Sequence, residues 1–392
     1  MLTEQARAML ENRLIPFWAA LRDDEFGGFY GWMGYDLAVD RHAEKGCILN
    51  SRILWFFSRC AQELGRKDCL ELARHAYRFL CEKCLDRSCG GVYWSLDHRG
   101  KPLDDSKHTY NQAFAIYALS AYYEASGDAE ALALAEEIFE RIERDCRDQD
   151  GYLEAFDRNF LPVSNEKLSE NGVMAGRTMN TLLHVFEGYA GLYQASEDER
   201  VGKAMRFILE IYRDKVFNPA KRRQEVFFDL HYNSLIDLHS YGHDVESSWL
   251  IDWGCGLLGS PTLTAEIGAI DQALAHHILE RAYRKHSVMN ECENGVDDQT
   301  RVWWVQAEAV LGFLNAWEKE PECTAFRDAA IDVWGFICRQ LTDPRPGGEW
   351  FWAVDADGVP DPNRPIVEPW KCPYHNGRLC LEILRRKFNV PC

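Results

Sequence analysis

The amino-acid sequence predicts an all-α chain, folded as a closed double ring of twelve helices with short β-hairpins at one end. Three observations predict it. Apolar residues recur at helical spacing through twelve segments, which count as six hairpins. The members of a pair differ in character, one apolar nearly all round and the other amphipathic. A short glycine-aromatic element recurs between the helical segments.

In chain order the segments are 3–22, 47–65, 68–86, 108–127, 129–146, 173–195, 199–217, 241–258, 263–286, 301–319, 323–342 and 373–388. Segment 68–86 (CLELARHAYRFLCEKCLD) shows one apolar and one charged face, as a helix facing solvent should. SRILWFFS in 47–65, YNQAFAIYALSAYY in 108–127 and VWWVQAEAVLGFLNAW in 301–319 are apolar almost all round, as a helix buried on both sides must be. Six such helices inside six amphipathic ones close a double ring; the alternative is a linear solenoid of hairpins, because a repeat pattern alone does not show closure. The recurring glycine element is Gly27-Gly28-Phe29-Tyr30, Gly90-Gly91-Val92-Tyr93-Trp94, Gly151-Tyr152-Leu153 and Gly347-Gly348-Glu349-Trp350-Phe351-Trp352. Each copy reads as a tight turn into a short strand. No Pro/Ser-rich linker interrupts the chain, so residues 1–392 are expected to form a single domain.

Composition narrows the function. Apolar residues make up 46% of the 392 residues and aromatics 12%, with 13 Trp, enough for a large core and a binding surface besides. The 44 Lys and Arg stand against 62 Asp and Glu, a net charge of -18, which repels nucleic acid. The N-terminus (MLTEQARAMLENRLIPFWAAL) mixes charges into its apolar positions, and no uninterrupted apolar run reaches the roughly 18 residues of a membrane span. A cytoplasmic chain with no membrane contact is expected, as a monomer or weak homodimer. The 14 Cys are scattered, as at Cys60, Cys255, Cys338 and Cys380, and most of them read as reduced and buried. Cys81, Cys84 and Cys89 cluster, yet no second C-x-x-C or H-x-x-x-H follows, so no zinc site is expected.

The apolar helices carry polar residues near one end. In Tyr241-Gly242-His243-Asp244-Val245-Glu246, three-residue spacing puts His243 and Glu246 on one helix face, where the carboxylate is expected to orient the imidazole. Asn180 and His184 lie four apart in RTMNTLLHVFEGY, as do Trp304 and Glu308 in RVWWVQAEA. Arg52 follows the N-cap candidates Asn50 and Ser51, and the last helix opens Trp370-Lys371-Cys372-Pro373-Tyr374-His375-Asn376-Gly377-Arg378. One such group is more often a satisfied core polar residue; five at matching ends of five buried helices point to a site. Histidines titrate near neutrality, Trp faces suit a sugar ring, and Arg suits a developing oxyanion. No P-loop, G-x-S-x-G, dinucleotide fingerprint or H-E-x-x-H is present. The combination predicts proton abstraction beside a sugar carbonyl with no cofactor and no metal.

Arg52 in NSRILWFFS, Tyr110 in KHTYNQAFAIYALS, Asn180 and His184, SYGHDVE with His243 and Glu246, Trp304 and Glu308 in TRVWWVQAEAV, and His375 in PWKCPYHNGR resemble the N-acylglucosamine 2-epimerase superfamily over almost the whole chain. The resemblance implies a six-fold (α/α) barrel and 2-epimerisation of a reducing-end sugar through a cis-enediolate, on a disaccharide or oligosaccharide substrate. It further implies that His243 and His375 are the two general acid/base residues and that Arg52 and His184 polarise the O1/O2 region. Glu246 is then the partner of His243, and Tyr110, Asn180 and Glu308 contact the reacting sugar. Trp304 and Trp370 are stacking platforms, Trp370 for a second sugar. The rivals are an aldose-ketose isomerase of the same superfamily and a glycoside hydrolase on the same fold, the latter drawing on Asp244, Glu246 and Glu308.

Overall fold

The computed structural model describes residues 1–168, 171–388 and 390, and is helical in the pattern that the periodicity predicts. The inner helices are α3 (Cys47–Leu64), α5 (Thr109–Ser126), α7 (Met179–Ser196), α9 (Tyr241–Leu258), α11 (Trp303–Lys319) and α13 (His375–Arg386). The outer ones are α4 (Lys67–Phe79), α6 (Ala129–Arg141), α8 (Glu199–Ile211), α10 (Pro261–Arg281) and α12 (Thr324–Phe336). The sixth outer rod is α1 (Leu2–Met9), continued through a π-turn into α2 (Ile15–Ala20). Inner helices touch in the order α3, α5, α7, α9, α11, α13, and α13 returns to α3. That last contact makes the ring closed, not a solenoid. The N-terminal rod packs on α13, so the sixth hairpin joins the two ends of the chain.

Inner and outer helices are joined by tight turns. α3, α5 and α9 end on Gly65, Gly127 and Gly259, all left-handed, and α7 on Glu197 in the same conformation. Asp128 and Asp198 then cap α6 and α8 by accepting the N–H of Glu130 and Arg200. Four outer helices finish in a π-turn, at 80–84, 142–146, 212–216 and 337–341. Segment 173–195 begins later than the periodicity suggests, at Met179, because Arg177 and Thr178 pair as a strand with Phe227 and Phe228. Segment 263–286 ends early at Arg281, where Tyr283 and Arg284 turn back against Ser287 and Val288.

The strands are two or three residues long and antiparallel, and they steer the chain into the inner helices. Residues 45–46, 107–108, 177–178, 238–240 and 301–302 each pair with a neighbour and run straight into α3, α5, α7, α9 and α11. The glycine-aromatic elements sit beside them. Gly28 (φ 68°) and Gly91 (φ 66°) take left-handed angles, and a Cβ on either would strike the carboxamide of Asn50 or Gln112. Those carboxamides accept the next N–H, Phe29 to Asn50 at 3.1 Å and Val92 to Gln112 at 2.7 Å. Beside these turns lie the buried ion pairs Lys45–Asp23 at 2.5 Å and Lys107–Asp86 at 3.2 Å, and Arg177 pairs with the half-exposed Asp148 at 2.6 Å ahead of α7. The turn, the amide and the ion pair occur together where α3 and α5 begin.

Candidate active site

Because each inner helix starts from the same strand end, the polar residues of its first two turns converge on one mouth of the barrel. A cavity of about 280 Å³ opens there, lined by Arg52, Tyr110, Asn180, His184, His243, Glu246, Trp304, Trp370 and His375. Trp303 and Trp352 add further aromatic wall, and Arg364 lies 4.1 Å over the Trp352 ring, whose indole N–H donates to Glu368 at 2.8 Å. Of the site residues expected from sequence, only Glu308 lies outside the lining.

The two proposed proton carriers are held alike. His375 Nδ1 meets Glu308 Oε1 at 2.7 Å, and His243 Nδ1 meets Ser240 Oγ at 2.7 Å. In both, Nε2 is the nitrogen left for substrate. Their rings flank one indole, with centroids 4.7 and 5.5 Å from that of Trp304. Burial, reinforced by neighbouring His184, pushes His243 down to about 3. Burial and the guanidinium groups of Arg378 and Arg52 hold His375 well below its ordinary value. Both imidazoles are therefore neutral bases at pH 7.

Arg52 is buried and fixed from three sides: Nη2 donates to the Tyr110 hydroxyl at 2.8 Å, Nη1 donates to the Trp370 carbonyl at 3.4 Å, and the guanidinium lies 4.1 Å over Phe114. Asn50 and Ser51 do not cap this helix. Strand pairing carries the chain into the helix at Cys47, so both lie a turn inside it, where Ser51 Oγ donates to the Cys47 carbonyl at 2.9 Å. His184 Nδ1 pairs with Glu187 at 2.9 Å, and burial lowers its pKa. Asn180 faces the cavity with its Oδ1 unpartnered.

The expected partnership of Glu246 with His243 does not form. The spacing does share a face, but in a helix packed on both sides the stronger attraction is across the barrel, to the Arg378 guanidinium, and His243 turns back to Ser240. Glu308 likewise does not face the sugar cavity. Its Oε1 accepts His375 and, at 2.8 Å, Arg378, and its Oε2 accepts the Trp249 indole N–H at 2.9 Å. Arg378 bridges Glu187, Glu246 and Glu308 and so ties His184 to His375. Glu187, held by that guanidinium, by His184 and by the Tyr374 hydroxyl, falls to about 2 despite its burial. Arg378, Glu187, Tyr374 and Ser240 were not singled out from the sequence. A signal existed for two of them: His184 and Glu187, like His375 and Arg378, stand three apart on apolar helices.

The ligand atoms of Glu246, Glu308 and His375 lie within 4.8 Å of one another. The Arg378 guanidinium already binds both carboxylates, so the position a cation would take carries a fixed positive charge. Nor do Cys81, Cys84 and Cys89 converge: the Cys84 thiol faces Cys47, Cys81 faces Tyr77 and Cys89 faces Asn159. Hydrolysis is also poorly served. It needs two carboxylates on opposite sides of a bond, whereas Glu246 and Glu308 share one guanidinium and Asp244 is turned onto His239 at 2.7 Å.

Comparison with known proteins agrees with this geometry. The chain is 50% identical to the cellobiose 2-epimerase of Eubacterium cellulosolvens over the whole of both chains. Its fold superposes with a TM-score of 0.98 on a sugar epimerase from a ruminal bacterium, at 47% identity and full coverage of both. On the cellobiose 2-epimerase of Bacillus thermoamylovorans B4167 the TM-score is 0.94, at 44% identity, covering 98% of this chain and 99% of that one. Residues 28–376 match the family model described as N-acylglucosamine 2-epimerase (GlcNAc 2-epimerase), and the chain belongs to that family.

Proposed function

We infer that this chain is a carbohydrate 2-epimerase that interconverts glucose and mannose at the reducing end of β-1,4-linked disaccharides and oligosaccharides such as cellobiose and lactose. The observation that carries the reading is the pair of neutral, Nδ1-anchored histidines flanking the Trp304 ring beside a buried arginine. One histidine removes the C2 proton of the opened sugar, and the other returns a proton to the opposite face. Each transfer contributes roughly 10²- to 10⁴-fold. Arg52, backed by His184, stabilises the charge that develops on O1 and O2 of the cis-enediolate. Trp304 and Trp370 supply ring faces for the two sugars. No step calls for a cofactor, and every residue used comes from one chain, in keeping with a monomer or weak homodimer working in the cytoplasm.

The test is incubation with cellobiose in deuterated water followed by NMR. A mannose-type product labelled at C2 is expected. A ketose labelled at C1 would make the enzyme an isomerase, and free glucose without a carbon-bound label would make it a hydrolase.

A further inference from the structure

The three carboxylates around Arg378 are not equivalent, and their hydrogen bonds decide which of them keeps a proton. Glu187 accepts from His184, Tyr374 and Arg378, and Glu308 accepts from His375, Arg378 and Trp249, so both have donors on both oxygens. Two ionised carboxylates already exceed the single charge of Arg378. Glu246 differs: Arg378 reaches its Oε1, and its Oε2 is buried without a partner among the described residues. A bare anionic oxygen in that place carries the penalty of a buried charge, whereas a hydroxyl carries only the smaller one of a neutral polar group. Glu246 also lines the sugar cavity, while Glu308 does not.

We propose that Glu246 is a neutral carboxylic acid in the resting enzyme and protonates the ring oxygen O5 as the sugar opens. The assignment rests on the 2-epimerase reading and completes its proton inventory. Both histidines start neutral, so neither brings a spare proton to ring opening. In opening, Glu246 gives its proton to O5 as the C1–O5 bond breaks, and one histidine takes the O1 proton as the C1–O1 double bond forms. The second histidine then removes the C2 proton, and the first, now an imidazolium, delivers its proton to the other face of C2. On closure O5 returns its proton to Glu246, the second imidazolium protonates O1, and the C1–O5 bond re-forms. Both histidines finish neutral and Glu246 protonated, ready for another turnover in the same direction.

The surroundings favour this state. Facing Glu246 are Arg378 and His375 on α13 with Tyr374 just before it, Glu308 on α11, Glu187 on α7, Tyr110 on α5 and His243 on its own helix. Burial and the Glu308 carboxylate push Glu246 up to about 8, against the pull of Arg378. Burial holds Tyr110 and Tyr374 far above that range and both histidines far below it. Burial raises Glu308 as well, but donors on both of its oxygens favour its charged form, so the shared proton falls to Glu246.

The experiment compares the pH dependence of kcat/KM on cellobiose for the wild type and Glu246→Gln, with the infrared carbonyl band of protonated carboxyl groups recorded for both. Wild-type kcat/KM should fall above about pH 8, where Glu246 loses its proton. Glu246→Gln should lower kcat by at least about 10²-fold, abolish that basic limb, and remove one protonated-carboxyl band from the spectrum at pH 7. Glu246→Asp keeps an acid and should retain the limb at reduced kcat. A Gln variant with wild-type kcat or an unchanged basic limb, or a spectrum that loses no such band, would overturn the assignment. If the wild type makes no mannose-type product labelled at C2, the epimerase reading fails instead, and the infrared comparison still reports the state of Glu246.

Discussion

Replacing Glu308 by glutamine separates the role seen in the structure from the role expected from sequence. The substitution preserves shape and removes one acceptor. If the amide oxygen keeps His375 and Arg378, the amide nitrogen faces the indole N–H of Trp249, and two donors meet where a carboxylate oxygen accepted at 2.9 Å. Leaving that buried donor unsatisfied costs about 1–3 kcal/mol of stability. The larger effect is on turnover. His375 becomes an imidazolium during the reaction, and its 2.7 Å hydrogen bond to Glu308 then joins two opposite charges. Exchanging that bond for a neutral one, with Arg378 partly offsetting the lost charge, removes about 2–3 kcal/mol from the transition state. At about 1.36 kcal/mol per tenfold, kcat should fall roughly 30- to 150-fold. KM should stay within about twofold, since Glu308 has 0% exposure and no face on the cavity. The assay is steady-state epimerisation of cellobiose, with a thermal melt in parallel. A KM raised tenfold or more with kcat retained would mean that Glu308 binds sugar, and the account of it as the support of His375 would be wrong.

His243→Ala and His375→Ala should each lower turnover at least about 10²-fold while disaccharide binding, followed calorimetrically, survives; activity retained in either would break the two-histidine assignment. The lowered pKa of both histidines sets the acid side of the pH profile: a group whose pKa lies below its ordinary value of 6.5 stays neutral as pH falls through that value. From pH 7.5 down to 5.5, kcat/KM should therefore change by less than about twofold, and an acid limb centred at or above 6.5 would show that a histidine is charged in the resting enzyme. Lys45→Met breaks a pair in which the side chains are 0% and 1% exposed and leaves Asp23 buried without its cation. A loss of about 3–5 kcal/mol in denaturant unfolding is expected, and a loss below about 1 kcal/mol, the range of exposed pairs, would mean that the pair is not needed to seat α3.

What was legible in the sequence, and what was not, follows from how far each interaction reaches along the chain. Periodicity is local, so the helix pairs could be read directly, and α9 was placed at Tyr241–Leu258 to the residue. Closure of the ring is not local; it depends on α13 meeting α3, more than three hundred residues away. The convergence of polar residues at one mouth was readable for a related reason. The short strand that starts an inner helix recurs along the chain, so residues at equal depth in successive inner helices must meet.

Partnership inside the site was not readable in the same way. The i,i+3 rule was applied to His243 and Glu246, which do not pair, and passed over His184 and Glu187, which do. In both cases the spacing shares a helix face; what decides the outcome is the cation on the opposite wall. Arg378 offers two nitrogens to three carboxylates, and the residue that each carboxylate supports is settled by what else can donate to it. Glu187 has His184 and Tyr374, and Glu308 has His375 and Trp249, so in both the hydrogen bonds favour the anion behind a histidine, in Glu308 against the burial that raises it. Glu246, a residue of the cavity wall, has no donor to its second oxygen among the described residues. Carboxylates of similar kind thus divide into two supports and one acid through a competition for donors that involves four different helices, α7, α9, α11 and α13, and no window along a single helix contains it.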